Sequence, residues 1–468
     1  MLPFSAGRLA AGLGASVAQA GRPRDFTAAG VDTRVLEPGA LFVAVQGRTP
    51  GEAWFDDALA RGAGALAGRS FSPGLRARAR RRGAWLLQVR DGLGALQDLA
   101  RDQRRLIEAP LAAVTGSNGK TSTKDLLAHL LGGEAGVLAT RGNLNNHLGV
   151  PLTLLRARPG LRWAVLEAGM NHAGELLALG RILRPDLVLE LNVGDAHCGN
   201  FADGRRGVAR AKEELLQAMG PGGVAVVNAD DPATAAMGRR FAGRSIAFGR
   251  ARGAQLRFSS VVDRGAAGLR ATAHWSAPLG GRPCRIRVAL GQGGPARESQ
   301  AAAALAAALA LGADPAGLER RLSVWRPAGA LRQELRALAS GATAILDAYN
   351  ASPQSMAAAL GFLALSAPAG RRAAVLGCML ELGDAAPSLH RALGRRARAA
   401  GIGVLAALGE QASEIVRGFG PGARAFDAAD AAGAAAWIAP SLRAGTWCLF
   451  KGSRGLAIER VYQALQGA

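Results

Sequence analysis

Between Leu111 and Leu131 the chain passes from a short apolar run into Thr115-Gly116-Ser117-Asn118-Gly119-Lys120-Thr121-Ser122 and on into a helix-forming stretch. The two glycines let the backbone curl so that its N–H groups and the start of the helix face an anion. Lys120 follows at the position that reaches the β- and γ-phosphates of a nucleotide, and the Thr121 hydroxyl beside it is a ligand for Mg²⁺. The commoner phosphate loop carries a further glycine where this chain has Val114, so this is the shorter T-G-x-x-G-K-T form. Thr115 to Ser122 is therefore read as a cradle for ATP and Mg²⁺.

Lys120 is one of only four lysines among 57 basic residues; the others are Lys124, Lys212 and Lys451. Arginine is a permanently charged planar fork, whereas lysine is a compact ammonium that can lose its proton. A chain that uses arginine almost everywhere keeps lysine where an amine matters. Lys212 lies beside Arg205, Arg206 and Arg210, where a plain cation would be arginine too. Its amine can take up CO₂ and become a carbamate, an anion that binds metal. Asparagine is also sparse, and eight of its nine residues fall between 115 and 230. Two further candidates stand near the expected carboxyl ends of parallel strands, where ligands bind in open α/β sheets. Glu167 directly follows an apolar run at 164–166, and His197 lies just beyond another at 187–191.

Those residues need a scaffold. Apolar runs at 111–114, 164–166, 187–191 and 224–227 alternate with helical stretches, the pattern of a parallel sheet wrapped by helices. Residues 244–290 read as a small antiparallel excursion and 301–311 as an alanine-rich helix. Before them, 41–45 reads as a strand and 54–61 as a helix, in a small α/β unit. Its first helix is expected within residues 9–18. After a turn near 327–329, strands are expected at 344–346, 373–376 and 446–450. A length of 468 residues fits three domains, set at 1–108, 109–327 and 328–468.

The composition narrows the function. A net charge of +22 suggests nucleic acid, but the arginines are scattered and aromatics are only 5%, so stacking platforms are scarce. An anionic small substrate accounts for the charge instead. Four distant cysteines without a CxxC pair fit a reducing compartment. No uninterrupted apolar stretch spans a bilayer. The expectation is a soluble, cytoplasmic, monomeric enzyme with no nucleic-acid partner and no membrane insertion.

Residues 115–121, Asn143 to Leu155, Leu166 to Gly169, Ala196-His197 and Ala211 to Glu213 together resemble the Mur ligases of peptidoglycan synthesis. Asp347 to Pro353, Gly377 to Gly383 with His390, Lys451 to Arg454, and Asp32 to Arg34 with Gly39 to Ala44 continue the resemblance. It implies an N-terminal domain for a UDP-sugar-peptide, a central P-loop ATPase with a mainly parallel sheet, and a Rossmann-like C-terminal domain that closes over the nucleotide. It also implies a carbamylated lysine at Lys212 and Mg²⁺ near Thr121, Glu167, His197 and Lys212. The 143–155 and 349–353 runs point to the member that joins D-Ala-D-Ala to UDP-N-acetylmuramoyl-tripeptide through an acyl phosphate. On this resemblance Thr33, Arg34, Gly47, Asn143, Asn145, Tyr349, Asn350 and Lys451 bind substrate. Asp347 and Asn350 approach the nucleotide, and Asn146 orients the reacting carboxylate or γ-phosphate.

The chain also departs from the family. A Gly-x-His-x-x-x-Asn pattern becomes Gly294-Pro295-Ala296 with Gln300, a Gly-Arg-Leu becomes Gly329-Ala330-Leu331, and an Asp-x-His becomes Gly51-Glu52-Ala53. Leu346 replaces one of two paired aspartates, and Cys378 stands within Gly377-Cys378-Met379 as a small core thiol. Competing readings are another Mur-type or folylpolyglutamate-synthase-like amide ligase, and a basic nucleic-acid-binding P-loop ATPase.

Overall fold

Four helices start by the same local device: a serine or aspartate whose side chain caps the first turn, followed at once by proline. The pairs are Ser72-Pro73, Asp231-Pro232, Asp314-Pro315 and Ser352-Pro353. The cap accepts from free N–H groups, and proline sits where no N–H bond is needed and its fixed φ suits a helix. These signals punctuate an α/β chain. The computed structural model describes residues 1–468 except 277–279, 281, 328, 330 and 467–468. Ala328 and Ala330, at the expected entry to the third unit, thus lie outside the described residues.

Three larger sheets follow one another along the chain. The first has five strands in the order 16–19, 85–88, 65–68, 41–43 and 29–30, parallel except for the antiparallel edge Ser16–Gln19. The second has nine: 284–290, 269–275, 256–263, 244–249, 224–228, 187–190, 111–115, 163–167 and 137–139. The third has six, in the order 334–337, 343–346, 447–451, 372–377, 404–408 and 423–426, with only the first antiparallel. The strand Leu111–Thr115 is buried throughout and lies between Trp163–Glu167 and Leu187–Glu190. After it the chain runs to one side of the sheet and then crosses to the other. Its carboxyl end is therefore a topological switch point, where a ligand crevice opens.

Several expected elements shift. Arg244–Gly249 extends the parallel part of the central sheet, and antiparallel pairing starts only with the strand Leu256–Asp263. Glu167 is the last residue of its strand instead of the residue after it. The alanine-rich helix spans Pro295–Ala310, so Ala296 and Gln300 fall in its first turns. The first helix is Ala6–Gly12, and the segment after it pairs as a strand. Phe55–Ala60 is the helix expected at 54–61, preceded by a 3₁₀ turn at Gly51–Trp54. The three-residue strand Val137–Ala139 is too short to show a periodicity. Val404–Leu408 was hidden because an alanine–leucine run reads equally well as helix.

The helices Ala386–Ala399 and Ala412–Phe419 cross at backbone contact. A Cβ on Gly394 would stand 2.0 Å from the Ile415 carbonyl, and one on Gly418 2.0 Å from the Arg391 carbonyl. Gly394→Ala is expected to cost about 1–3 kcal/mol through overpacking, read as a lower thermal unfolding midpoint. An unchanged midpoint would mean the crossing is looser.

Candidate active site

The phosphate loop follows from its strand. Gly116 has φ +148° and Gly119 φ +86°, and a Cβ on Gly116 would stand 2.8 Å from Leu191 Cβ. Only glycine fits such a turn at that approach. Asn192 fastens the loop from the next strand: Asn118 N donates to Asn192 Oδ1 at 2.9 Å, and Asn192 Nδ2 donates to Asn118 O at 3.1 Å. Gly194 N donates to Ser117 Oγ at 2.8 Å. Lys120 Nζ curls back to Gly116 O at 2.8 Å. Burial pulls its pKa down, and the Glu167 charge opposes that shift.

This loop forms part of a cleft of about 960 Å³ that also draws on the Pro295–Ala310 helix and the six-stranded unit. Thr121 Oγ1 donates to Glu167 Oε2 at 2.7 Å, and Asn145 Nδ2 donates to Glu167 Oε1 at 2.7 Å. Asn145 thus aims the carboxylate. Asn146 Oδ1 accepts from Gly149 N at 2.9 Å, at the first residue of the short helix Gly149–Leu154, which leaves its amide N–H₂ for the cleft. Asn143 and Ser122 also line the cleft.

His197 lines it as well, with a left-handed backbone (φ +65°), and its Nδ1 pairs with the Glu381 carboxylate of the six-stranded unit. Burial lowers its pKa despite Glu381. From the same unit, Lys451 Nζ pairs with Asp347 Oδ2 at 2.8 Å and donates to Asn350 O at 2.9 Å. Tyr349 stacks under Arg332, with 4.0 Å between guanidinium and ring centroid. Ser352 Oγ donates to Asn118 Oδ1 at 2.8 Å, and Gln354 pairs with Asp195. The third unit is thus already seated on the phosphate loop.

Not every sequence candidate meets in the cleft. Thr115, the last residue of the strand, and Gly116, the first of the loop, do not line the cleft. Lys212 is 3% exposed on the buried face of the helix Arg205–Gln217, and it too is absent from the lining. Burial lowers its pKa and raises that of neighbouring Glu190, both of whose carboxylate oxygens lack a partner. Thr33, Arg34 and Gly47 belong to the five-stranded unit, away from the cleft lining. There Arg34 pairs with Asp32 at 2.6 Å, and Glu52, beside the departures Gly51 and Ala53, pairs with Arg69 at 3.2 Å. His390 is a fully buried tie that accepts from Met379 N at 2.8 Å. The Cys378 thiol is buried and accepts from Gln411 N at 3.2 Å.

Asn192, Ser352, Gln354, Glu381 and Arg297 entered no sequence reading as site residues. The scarcity of asparagine was a usable signal for Asn192. Nothing distinguished Arg297 from the 52 other arginines.

The Mur ligase middle domain matches residues 114–280, and the Mur ligase glutamate ligase domain matches residues 331–454. A UDP-N-acetylmuramoyl-tripeptide–D-alanyl-D-alanine ligase of Mycobacterium tuberculosis is 37% identical over 387 residues, covering 78% of this chain and 74% of the relative. The chain belongs to the Mur ligase family. Among solved Mur ligases, a MurF crystal structure from Acinetobacter baumannii superposes with a TM-score of 0.87 at 29% identity, covering 100% of this chain and 99% of its own. MurF from Thermotoga maritima, crystallised with ADP, gives 0.79 at 26% identity, with 94% and 97% covered. The fold class read from the sequence, three-domain α/β with a mainly parallel central sheet, is the Mur ligase fold. No helix among the described residues is long and apolar enough to cross a membrane.

No described cluster of three or more His, Cys, Asp or Glu side chains converges on one point. A fit for Mg²⁺ rests on the Thr121 hydroxyl and the Glu167 carboxylate, adjacent hard oxygen donors at the foot of the loop. The His197 Nδ1 contact with Glu381 is the outer-shell arrangement that leaves Nε2 for a metal.

Proposed function

We propose that this chain is an ATP-dependent ligase that joins D-alanyl-D-alanine to UDP-N-acetylmuramoyl-tripeptide, a cytoplasmic step of peptidoglycan precursor assembly carried out by a monomer. Residues 1–108 hold the UDP-sugar-peptide, 109–327 carry the ATPase and 328–468 close over it. The observation that carries the reading is the phosphate loop with Thr121 and Glu167 at its foot, roofed by the third unit through Ser352 and Gln354.

The chemistry follows from position and charge. The tripeptide carboxylate attacks the γ-phosphate of ATP to give an acyl phosphate, and the dipeptide amine then displaces phosphate to form the amide. Phosphoryl transfer of this kind depends on in-line placement and on cations that match the spreading charge. Lys120 and the loop N–H groups supply that match. The Asn146 amide N–H₂ orients the attacking carboxylate, and Asn143, Tyr349 and Asn350 contact substrate. A carboxylate is a poor nucleophile when hydrated, so the seated third unit helps by excluding water. Thr121, Glu167 and His197 would hold Mg²⁺, and a carbamate on Lys212 would add an anion beneath it. When bound, the metal would neutralise phosphate charge.

The test is phosphate release with UDP-N-acetylmuramoyl-tripeptide, with and without D-Ala-D-Ala. Turnover is expected only with both present. Turnover stimulated by DNA or RNA and lost steeply with salt would replace the ligase by a nucleic-acid-binding ATPase.

A further inference from the structure

His197 belongs to the central unit, but the group that holds its ring comes from the six-stranded unit. A carboxylate can only accept, so His197 Nδ1 donates to Glu381, which fixes the tautomer with its lone pair on Nε2. The ring lines the cleft, and among the described residues Nε2 has no protein partner. Glu381 does not line the cleft, so it acts there only through the imidazole. Both residues hold a left-handed backbone, His197 at φ +65° and Glu381 at φ +62°, which residues with a side chain adopt at a cost. The contact does not offset that cost as stability, because the Glu381 side chain is 51% exposed and exposed ion pairs contribute little.

The backbone around the pair is shaped for close approach. The 3₁₀ turns Cys198–Asn200 and Gly383–Ala385 meet there, and Gly199 N donates to Glu381 O at 3.3 Å. A Cβ on Gly199 would stand 2.9 Å from Gly383 N and 3.0 Å from Glu381 O, so only glycine lets the two units touch at this point. The Glu381 loop is pinned on its own side. Met379 N donates to His390 Nε2 at 2.8 Å, Leu380 N donates to Ser453 Oγ at 3.1 Å, and Leu382 is buried. The direction of the Glu381 carboxylate is therefore set by the third unit.

We propose that Glu381 is a positioning residue for a divalent cation, and that seating of the third unit completes the metal site by orienting His197 from outside it. Metal binding and seating then favour each other, because an equilibrium coupling acts in both directions. With the third unit withdrawn, the ring loses its Nδ1 acceptor and is free to turn. The proposal rests on the reading of His197 as a metal ligand and adds the control of that ligand by another domain.

Manganous ion serves as the probe, because its free form is counted by electron paramagnetic resonance and a coordinated imidazole nitrogen modulates its spin echo. The full chain is titrated with Mn²⁺ in the presence of ADP, beside the variants Glu381→Ala, Glu381→Gln and Gly199→Ala. Glu381→Ala should weaken Mn²⁺ binding by roughly tenfold or more, the scale lost with an outer-shell partner of a metal-bound histidine, and should reduce the nitrogen modulation. Glu381→Gln still offers Nδ1 an oxygen and should keep most of the affinity. Gly199→Ala leaves both side chains in place but forces the turns apart, so it too should weaken Mn²⁺, and it carries the test should Glu381→Ala not fold. Thermal unfolding midpoints establish which variants are folded. Unchanged affinity and modulation in Glu381→Ala overturn the positioning role, and normal affinity in Gly199→Ala overturns the dependence on seating. Absence of nitrogen modulation in the unaltered chain instead overturns the reading of His197 as a ligand beneath it.

Discussion

Lys120→Ala is expected to lower ligation turnover by at least ~100-fold, the scale lost when one preorganised charge partner leaves a dry site. Lys120 is partly buried, curls over the loop onto Gly116 O at 2.8 Å, and has Glu167 as the nearby opposing charge. A triphosphate entering the loop would draw the ammonium off that carbonyl, so the interaction strengthens as charge develops. With alanine the loop N–H groups remain, and binding of magnesium nucleotide should weaken less than turnover falls. Phosphate-release kinetics with both substrates present check this. Near-normal turnover would remove the phosphate role from Lys120.

Lys212→Arg is expected to abolish ligation while leaving the chain folded. Lys212 is 3% exposed, and burial favours its neutral amine, the form that can take up CO₂. Arginine stays charged and cannot form the carbamate. Glu190, both of whose oxygens lack partners, is pushed by burial toward its neutral form, which suits an anion beside it better than a second carboxylate would. Added short-chain carboxylates should restore part of the lost activity by supplying the missing anion. A thermal melt separates this loss from misfolding. Full activity in the arginine variant excludes the carbamate.

Arginine dominance made the lysine positions legible before any fold was known, and three of the four lysines prove to be almost fully buried: Lys124, Lys212 and Lys451. Their roles were less legible. Lys124 donates to Thr140 O at 2.7 Å and pairs with Asp125, a structural tie from the loop's own helix to the segment after the strand Val137–Ala139. Lys451, the last residue of its strand, clamps Asp347 just past the carboxyl end of the neighbouring strand Thr343–Leu346. Asn145, expected to contact substrate, lines the cleft and also uses its amide to aim Glu167.

The phosphate loop, the helix starts and the buried strands were legible in the order of residues alone, because each depends on residues within a few positions of one another. Glycine spacing, a cap followed by proline, and an apolar run need no distant partner to act. Folding in three dimensions was needed for His197 to meet Glu381, for Ser352 to meet Asn118, and for Arg297 to reach Gln300 and Trp325. Those pairings join residues more than 150 positions apart or depend on which face of a helix is covered. Side-chain type says what a group can bond to, but the packing of one sheet against another selects the partner.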